Sequence, residues 1–308
     1  MTLKVFPFRR RLLVIGVVYL AVILFGRLPD HLILFPTTGP IETHGAVRKT
    51  IPFQNEQLEL WTAQSRLAQA KGRADVFILR FYGNADRADR WVAAEAEMWN
   101  GRAVEVWGMN YPGFGGSTGP ARLSRIGPAA LVAFDELQRF ADAQVVVFPK
   151  ASGAVHSGKS SADTPGTGPI IVFGASLGTT AALHVAAHRP VAGLILHNPP
   201  PLRQIILRQF GWWNAWLLAG PVALQIPRDL DSIDKAKRIH VPAIFLLAEN
   251  DEVVAPRFHR LVVDAYAGQK RVIALRGAHH NDPIEGTGLA DFYDALDWLL
   301  PGHPSGVL

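Results

Sequence analysis

The string Gly-x-Ser-x-Gly occurs twice in this chain, at Gly115-Gly116-Ser117-Thr118-Gly119 and at Gly174-Ala175-Ser176-Leu177-Gly178. It is the pattern of a nucleophile elbow, a turn in which a strand runs straight into the serine and a helix leaves from it, exposing the hydroxyl. Only the second occurrence has that context. Ile170-Ile171-Val172-Phe173 leads into Ser176, and Leu177 to His188 is helical in composition until Arg189-Pro190 stops it. The N-terminus of such a helix offers its dipole and free N–H groups to a developing oxyanion. Ser117 sits between Tyr111-Pro112-Gly113-Phe114-Gly115 and Gly119-Pro120, which predicts a loop. Ser176 is therefore the candidate nucleophile and Ser117 a structural serine. The competing role for Ser176 is a small-residue turn between strand and helix.

A serine hydroxyl needs a base to become a nucleophile, and the base needs a carboxylate to fix its tautomer. Behind an elbow of this kind the partners follow in the order acid, then histidine. The apolar run Ala243 to Leu247 is followed by Ala248-Glu249-Asn250-Asp251-Glu252-Val253-Val254, which places Asp251 in a loop at the end of a strand. Arg271 to Leu275 is followed by Arg276-Gly277-Ala278-His279-His280-Asn281-Asp282, a loop with two adjacent histidines. Both loops are expected on the sheet edge that carries Ser176, where active sites of α/β sheets assemble. Glu249 and Glu252 are rival acids. His184 and His188, one turn apart on the helix after Ser176, fit packing or C-terminal capping better than metal ligation. Side chains of neighbouring residues diverge, so His279 to Asp282 makes a poor metal site.

These loops must be held by a sheet. Short β-branched-rich runs at Val76–Phe81, Ala103–Trp107, Ile170–Phe173, Val191–Leu196, Ala243–Leu247 and Arg271–Leu275 show little polar alternation, as in strands covered on both faces. Helical spacing fills Arg87–Trp99, Ala129–Ala141, Leu177–His188, Phe258–Ala267 and Leu289–Leu300. Alternation of this kind predicts an α/β fold with a mostly parallel central sheet. Two stretches break the rhythm. The Ser/Gly/Ala-rich segment from about 150 to 169 is expected to be an exposed polar insertion, with Val145–Phe148 before it either an edge strand or part of it. Pro199 to Asp231 is apolar and aromatic.

The chain has 308 residues, 49% of them hydrophobic and none of them cysteine. That excludes a disordered protein, a disulfide scaffold, a thiol nucleophile and Cys-ligated zinc. Of the formal charge of +5, a net +4 lies in the first thirty residues, as Lys4, Arg9, Arg10, Arg11 and Arg27 against Asp30. The remainder is close to neutral and has no basic stripe, which argues against a nucleic-acid partner. Behind the arginines runs Leu12 to Gly26, uncharged and short for a full span. No small-x-small cleavage site follows it, so an uncleaved signal anchor is expected, over a cleaved signal peptide or a buried element. The positive-inside rule then puts residues 1–27 down as a cytoplasmic basic tip and membrane anchor, single-pass with its N-terminus inside. Residues 28–308 form the catalytic domain on the non-cytoplasmic side.

The motifs resemble those of the α/β-hydrolase superfamily, and in particular its membrane-anchored abhydrolase-domain and serine-aminopeptidase-like branch, over about residues 32 to 300. Phe81-Tyr82-Gly83-Asn84-Ala85 looks like that branch's oxyanion loop, His-Gly-Asn-Ala, with Tyr82 in place of the histidine. Asn110 to Ser117 is similar to its Asp-Tyr-Arg-Gly-Tyr-Gly-x-Ser segment, and Gly277 to Asp282 to its Gly-x-Gly-His-Asn-Asp. The resemblance aligns His280, not His279, with the catalytic histidine. It implies an oxyanion hole from the backbone N–H groups of Asn84 and Leu177, and a helical cap at about 199–231. Trp212, Trp213 and Trp216, with Tyr82, would line a substrate pocket; the tryptophans could instead dip into a bilayer or pack the cap onto the sheet. The function it implies is a serine hydrolase, acting without a cofactor or metal on carboxylic esters, with thioesters, lipids or peptides open to the same machinery. An inactive, membrane-tethered binding module is the alternative.

Overall fold

The computed structural model of the chain describes residues 8–25, 27–99, 101–147, 168–214 and 216–303. Two helices, α1 (Phe8–Phe25) and α2 (Leu28–Ile33), precede an eight-stranded sheet. Strands β1 (Val47–Phe53) and β2 (Glu56–Gln64) form an antiparallel hairpin closed by Gln54-Asn55, with Gln54 at φ 55° as tight hairpin turns demand. The sequence patterns did not announce this hairpin. β1 is half exposed and contains Pro52, so it lacks the continuous apolar run of the inner strands.

The inner strands are β3 (Val76–Phe81), β4 (Val104–Met109), β5 (Ile170–Ala175), β6 (Gly193–His197), β7 (Ala243–Ala248) and β8 (Lys270–Leu275). The sheet order is β1-β2-β4-β3-β5-β6-β7-β8, antiparallel at the first two contacts and parallel from β4 to β8. α3 (Arg66–Lys71) leads from β2 into β3, and the crossovers that parallel strands require are supplied by α4 (Ala88–Glu97), α5 (Leu123–Val147) and α6 (Leu177–Ala186). Beyond them come α9 (Ser232–Ala236), α10 (Pro256–Ala265) and α11 (Gly286–Leu299). Alternate residues of β3 enter opposite cores: Phe77, Leu79 and Phe81 pack on the side of α5 and α6, Val76 and Ile78 on the side of α4 and α11. Burial on both faces is why these strands carry almost unbroken apolar runs.

Val145 to Val147 falls at the end of α5 and so is not an edge strand. Residues 150–167 of the expected polar insertion lie outside the described residues. The segment after β6 is a cap of α7 (Leu202–Phe210), a 3-10 turn at Trp212–Asn214, α8 (Ala219–Leu224) and a second 3-10 turn at Arg228–Leu230.

A membrane-spanning anchor is not found. Among the described residues no helix is long and apolar enough to cross a membrane. Arg9, Arg10 and Arg11 occupy the first turn of α1, and Leu12 to Phe25 then supplies about 21 Å of apolar helix, against about 30 Å of bilayer hydrocarbon. This helix lies against the cap, with the Tyr19 hydroxyl donating to the carbonyl of Leu217. Leu12 to Ile15, Val17, Val18 and Leu20 are exposed.

Phe245 on β7 is fully buried and meets Tyr266 edge to face at 5.4 Å. Phe245→Ala leaves a cavity at the centre of the parallel sheet and is expected to cost about 3–5 kcal/mol, measured by urea unfolding.

Candidate active site

All the parallel strands end on one edge, and the loops leaving β3, β5, β6, β7 and β8 there bring the candidate residues together. Ser176 is at the β5–α6 turn with φ 48° and ψ −121°, a conformation that non-glycine residues hold only when their surroundings impose it. The surroundings do. The Ser176 N–H donates to His197 O at 2.8 Å and its carbonyl accepts from Thr179 N at 2.9 Å. A Cβ on Gly174 would sit 2.5 Å from the Gly178 carbonyl oxygen, and one on Gly178 would run into the carbonyls of Phe81 and Tyr82. The glycines of the motif are thus required by backbone crossing backbone.

His280, in the loop after β8, places Nε2 2.9 Å from Ser176 Oγ. Its Nδ1 lies 2.6 Å from Asp251 Oδ2. Since a carboxylate only accepts, Nδ1 carries the proton, and Nε2 is left to accept from the serine hydroxyl. Asp251 Oδ1 accepts from Val253 N at 2.9 Å and Val254 N at 2.7 Å. Burial alone would raise this carboxyl's pKa. The hydrogen bonds from His259, His280 and Val254 outweigh it and hold the group well below the usual carboxylate range. The two loops are stitched by backbone bonds from Glu249 N to Leu275 O and from Asn250 N to Ala278 O.

The rivals lie elsewhere. His279 is exposed and pairs with Glu252 at 3.1 Å, and Glu249 accepts from Gly277 N. His184 stacks on His188 at 4.3 Å, and His188 Nδ1 meets the carbonyl of His184, the capping and packing roles expected of them. Ser117 donates to Asn110 O at 2.7 Å and accepts from Glu59 N at 2.8 Å, so its hydroxyl is committed to the loop that carries it.

The Tyr82-Gly83-Asn84 segment borders Ser176: a Cβ on Gly83 would stand 3.6 Å from Ser176 Cβ. Leu177 opens α6, so its N–H has no partner within the helix. The Asn84 side chain accepts from Phe35 N and donates to Ile33 O, tying the loop to the segment after α2. Tyr82, expected to line the substrate pocket, is instead buried. Its hydroxyl donates to Glu95 Oε2 at 2.7 Å, and Glu95 also pairs with Arg80 at 2.8 Å. Burial first, and then the Glu95 charge, push the Tyr82 phenol well above its ordinary pKa, so it remains a donor. Trp212, Trp213 and Trp216 are 72%, 59% and 53% exposed, so they are not packed onto the sheet, and Trp216 donates from Nε1 to Leu207 O within the cap.

No family model matches the chain. It is 28% identical over 260 residues to two proteins from strains of Mycobacterium tuberculosis, both named as uncharacterized, the match covering 82% of this chain and 80% of each of them. Among solved structures, the esterase Pf2001 of Pyrococcus furiosus superposes with a TM-score of 0.57 at 13% identity, over 88% of this chain and 97% of that one. Est1E from Butyrivibrio proteoclasticus gives 0.58 at 12%, over 82% and 99%. An alpha-beta hydrolase from Vibrio vulnificus gives 0.55 at 16%, over 83% and 81%. The fold is that of the α/β-hydrolases.

Within this α/β-hydrolase fold, three residues at the site had not been singled out from the sequence. Asn198, at φ 51°, donates from Nδ2 to His280 O at 3.1 Å and accepts from Ala248 N at 2.8 Å, fastening the histidine loop to β7. Glu95 holds Tyr82 and Arg80 from α4. His259, on α10, bonds Asp251 Oδ2 at 3.0 Å. Its signal was present: Phe258, His259, Val262 and Val263 are the buried stripe of α10, and the histidine is the one polar member. Ser117→Ala removes two buried hydrogen bonds of the β4–α5 loop. The expected cost is about 1–3 kcal/mol in chemical denaturation, with the reactivity of Ser176 unchanged.

Proposed function

We propose that this chain is a serine hydrolase acting on carboxylic esters through an acyl-enzyme. The observation that carries the proposal is the hydrogen-bonded line Ser176–His280–Asp251, in that order and at 2.9 and 2.6 Å. Ser176 Oγ attacks the ester carbonyl carbon while its proton passes to His280 Nε2. Asp251 holds the imidazole in the Nδ1–H tautomer and stabilises the imidazolium that forms. The backbone N–H groups of Leu177 and Asn84 receive the oxyanion. His280 then returns the proton to the departing alkoxide. Water, deprotonated by His280, cleaves the acyl-enzyme and restores Ser176. The named neighbours include esterases and, over 87% of this chain but 43% of its own, an acylaminoacyl peptidase of Pyrococcus horikoshii. Esters are preferred here because an alkoxide is a better leaving group than an amide nitrogen, so the collapse of the tetrahedral intermediate depends less on the proton that His280 returns.

A fluorophosphonate probe tests the nucleophile. Wild type and Ser117→Ala are expected to label, and Ser176→Ala is not. Labelling that survives Ser176→Ala and disappears in Ser117→Ala would reverse the assignment, while an unlabelled folded wild type would turn the proposal toward a binding module. Nitrophenyl esters of rising chain length then define the acyl group.

We further propose that α1 attaches the chain to a membrane, with Arg9 to Arg11 on the cytoplasmic side and the hydrolase domain on the other. The support is the exposure of Leu12 to Ile15, Val17, Val18 and Leu20, surface that water disfavours and lipid does not. Its apolar run is short, so crossing requires a locally thinned bilayer or help from flanking residues. Alkaline carbonate extraction of membranes tests this: retention supports insertion, release reduces it to surface attachment, and a full-length chain found only in the soluble fraction overturns it.

A further inference from the structure

Every acceptor position of Asp251 is filled from inside the protein. Oδ1 takes the N–H groups of Val253 and Val254, and Oδ2 takes two imidazoles, His280 Nδ1 at 2.6 Å and His259 Nε2 at 3.0 Å. Neither Asp251 nor His259 has any exposed side-chain surface. Because the carboxylate can only accept, His259 Nε2 carries a proton and donates it to Asp251; Nδ1 lies 3.4 Å from the carbonyl of Pro199, at the foot of the cap. Asp251 belongs to a loop, whereas His259 belongs to the buried stripe of α10. A hydrolytic cycle of the kind proposed above asks that loop to keep its carboxylate aimed at His280 while the imidazole gains and loses a proton.

We infer that His259 is a positioning residue of the hydrolytic site, clamping Asp251 to α10 and drawing on part of its charge, so that the carboxylate stays aimed at His280 without over-stabilising the imidazolium. This inference rests on the Ser176–His280–Asp251 reading. A second donor makes the carboxylate less basic toward the first, and the hydrogen bonds from His259 and His280 together hold the Asp251 carboxyl well below the usual carboxylate range against the opposing effect of burial. Other charges around the set are settled. His197, at the end of β6, is pushed down to about 3 by burial and by the Arg80 charge, so it stays neutral. Arg80 on β3 is paired with Glu95, and Glu252, on the acid's own loop, points to solvent with His279. Ser176 on the α6 side brings no charge.

The test compares His259→Leu, which removes the donor, with His259→Gln, whose amide nitrogen reaches roughly where Nε2 stands. Circular dichroism and the thermal midpoint check folding; should the leucine variant fail to fold, His259→Asn, too short to reach Oδ2, replaces it. On a nitrophenyl ester, loss of the donor is expected to lower kcat about tenfold or more with KM within about twofold, and to move the acid limb of kcat/KM to higher pH. The shift has this sign because an Asp251 relieved of His259 is more basic and favours the imidazolium. The glutamine variant is expected to recover both. A folded leucine variant with wild-type kcat and an unmoved acid limb overturns the inference. So does a loss of activity with the acid limb in place and no recovery by glutamine, which marks a merely structural histidine. The ring N–H proton signals of His280 and His259 give a readout independent of turnover. In His259→Leu the His280 signal is expected to move downfield; if it stays, the inference fails. Should wild type neither turn over nor label, the parent reading falls, and this signal still decides whether the two histidines share Asp251.

Discussion

The ends of β3 and β5 and the start of α6 cross backbone against backbone around Ser176, and the rest of the site depends on that crossing. The chain must reverse from β5 into α6 in less than a turn, with Gly174 against the Gly178 carbonyl and Gly178 against the carbonyls that end β3. The serine between them is held at φ 48°, a strain of about 1–3 kcal/mol. What offsets it is the sheet: β5 is the central strand, hydrogen-bonded to β3 on one side and β6 on the other, and buried on both faces. The same approach that strains Ser176 brings Gly83 against it, so the proposed nucleophile and the segment proposed to receive the oxyanion are positioned by a single contact.

Glu95 shows how that contact is maintained from the opposite layer. It reaches from α4 to the Tyr82 hydroxyl and the Arg80 guanidinium, while Arg80 donates to Phe81 O and the Tyr111 hydroxyl to Tyr82 O. Three consecutive residues at the end of β3 are therefore fixed by side chains from α4, β3 and the loop after β4. The tyrosine that replaces the histidine of the resembling motif works as a strut, with its ring beside Arg80 at 4.6 Å. A buried ion pair of this sort contributes little net stability and is severely felt when one partner goes, so its value here lies in holding a geometry.

What could be read from the sequence was what has a local cause. The inner strands announced themselves because burial on both faces removes polar residues, and Ser176 was separable from Ser117 because an elbow needs a strand before it and a helix after it. The identical five-residue pattern at Ser117 serves a different purpose: Gly115 and Gly116 admit the Asn110 amide and the Glu59 carboxylate, and Ser117 closes the loop. Asp251 and His280 followed from their places after strands. The β1–β2 hairpin was missed since a half-exposed edge has no run to see. Glu95 and Asn198 were missed for another reason: their partners are remote in sequence, and only the assembled sheet brings them within reach.

The same distinction bears on the apolar surface. Sequence hydrophobicity marked both α1 and the cap, but could not say whether their side chains would be spent on the core. Part of the cap is: Ile226 and Leu230 are buried in the core, with Leu202 and Ile206 packed against it, while other apolar side chains stay outside. Tyr19 and Leu217 join the helix to the cap, and on these two elements Leu13, Leu217 and Leu224, like the tryptophans, remain largely exposed. The core makes no use of these exposed side chains. The cap begins at Pro201, three residues past Asn198, which fastens the His280 loop, and two past Pro199, whose carbonyl faces His259. Any force applied to the cap is therefore applied close to Asp251 and His280, and an apolar surface that engages lipid would act on the residues that the proposed hydrolysis needs held still.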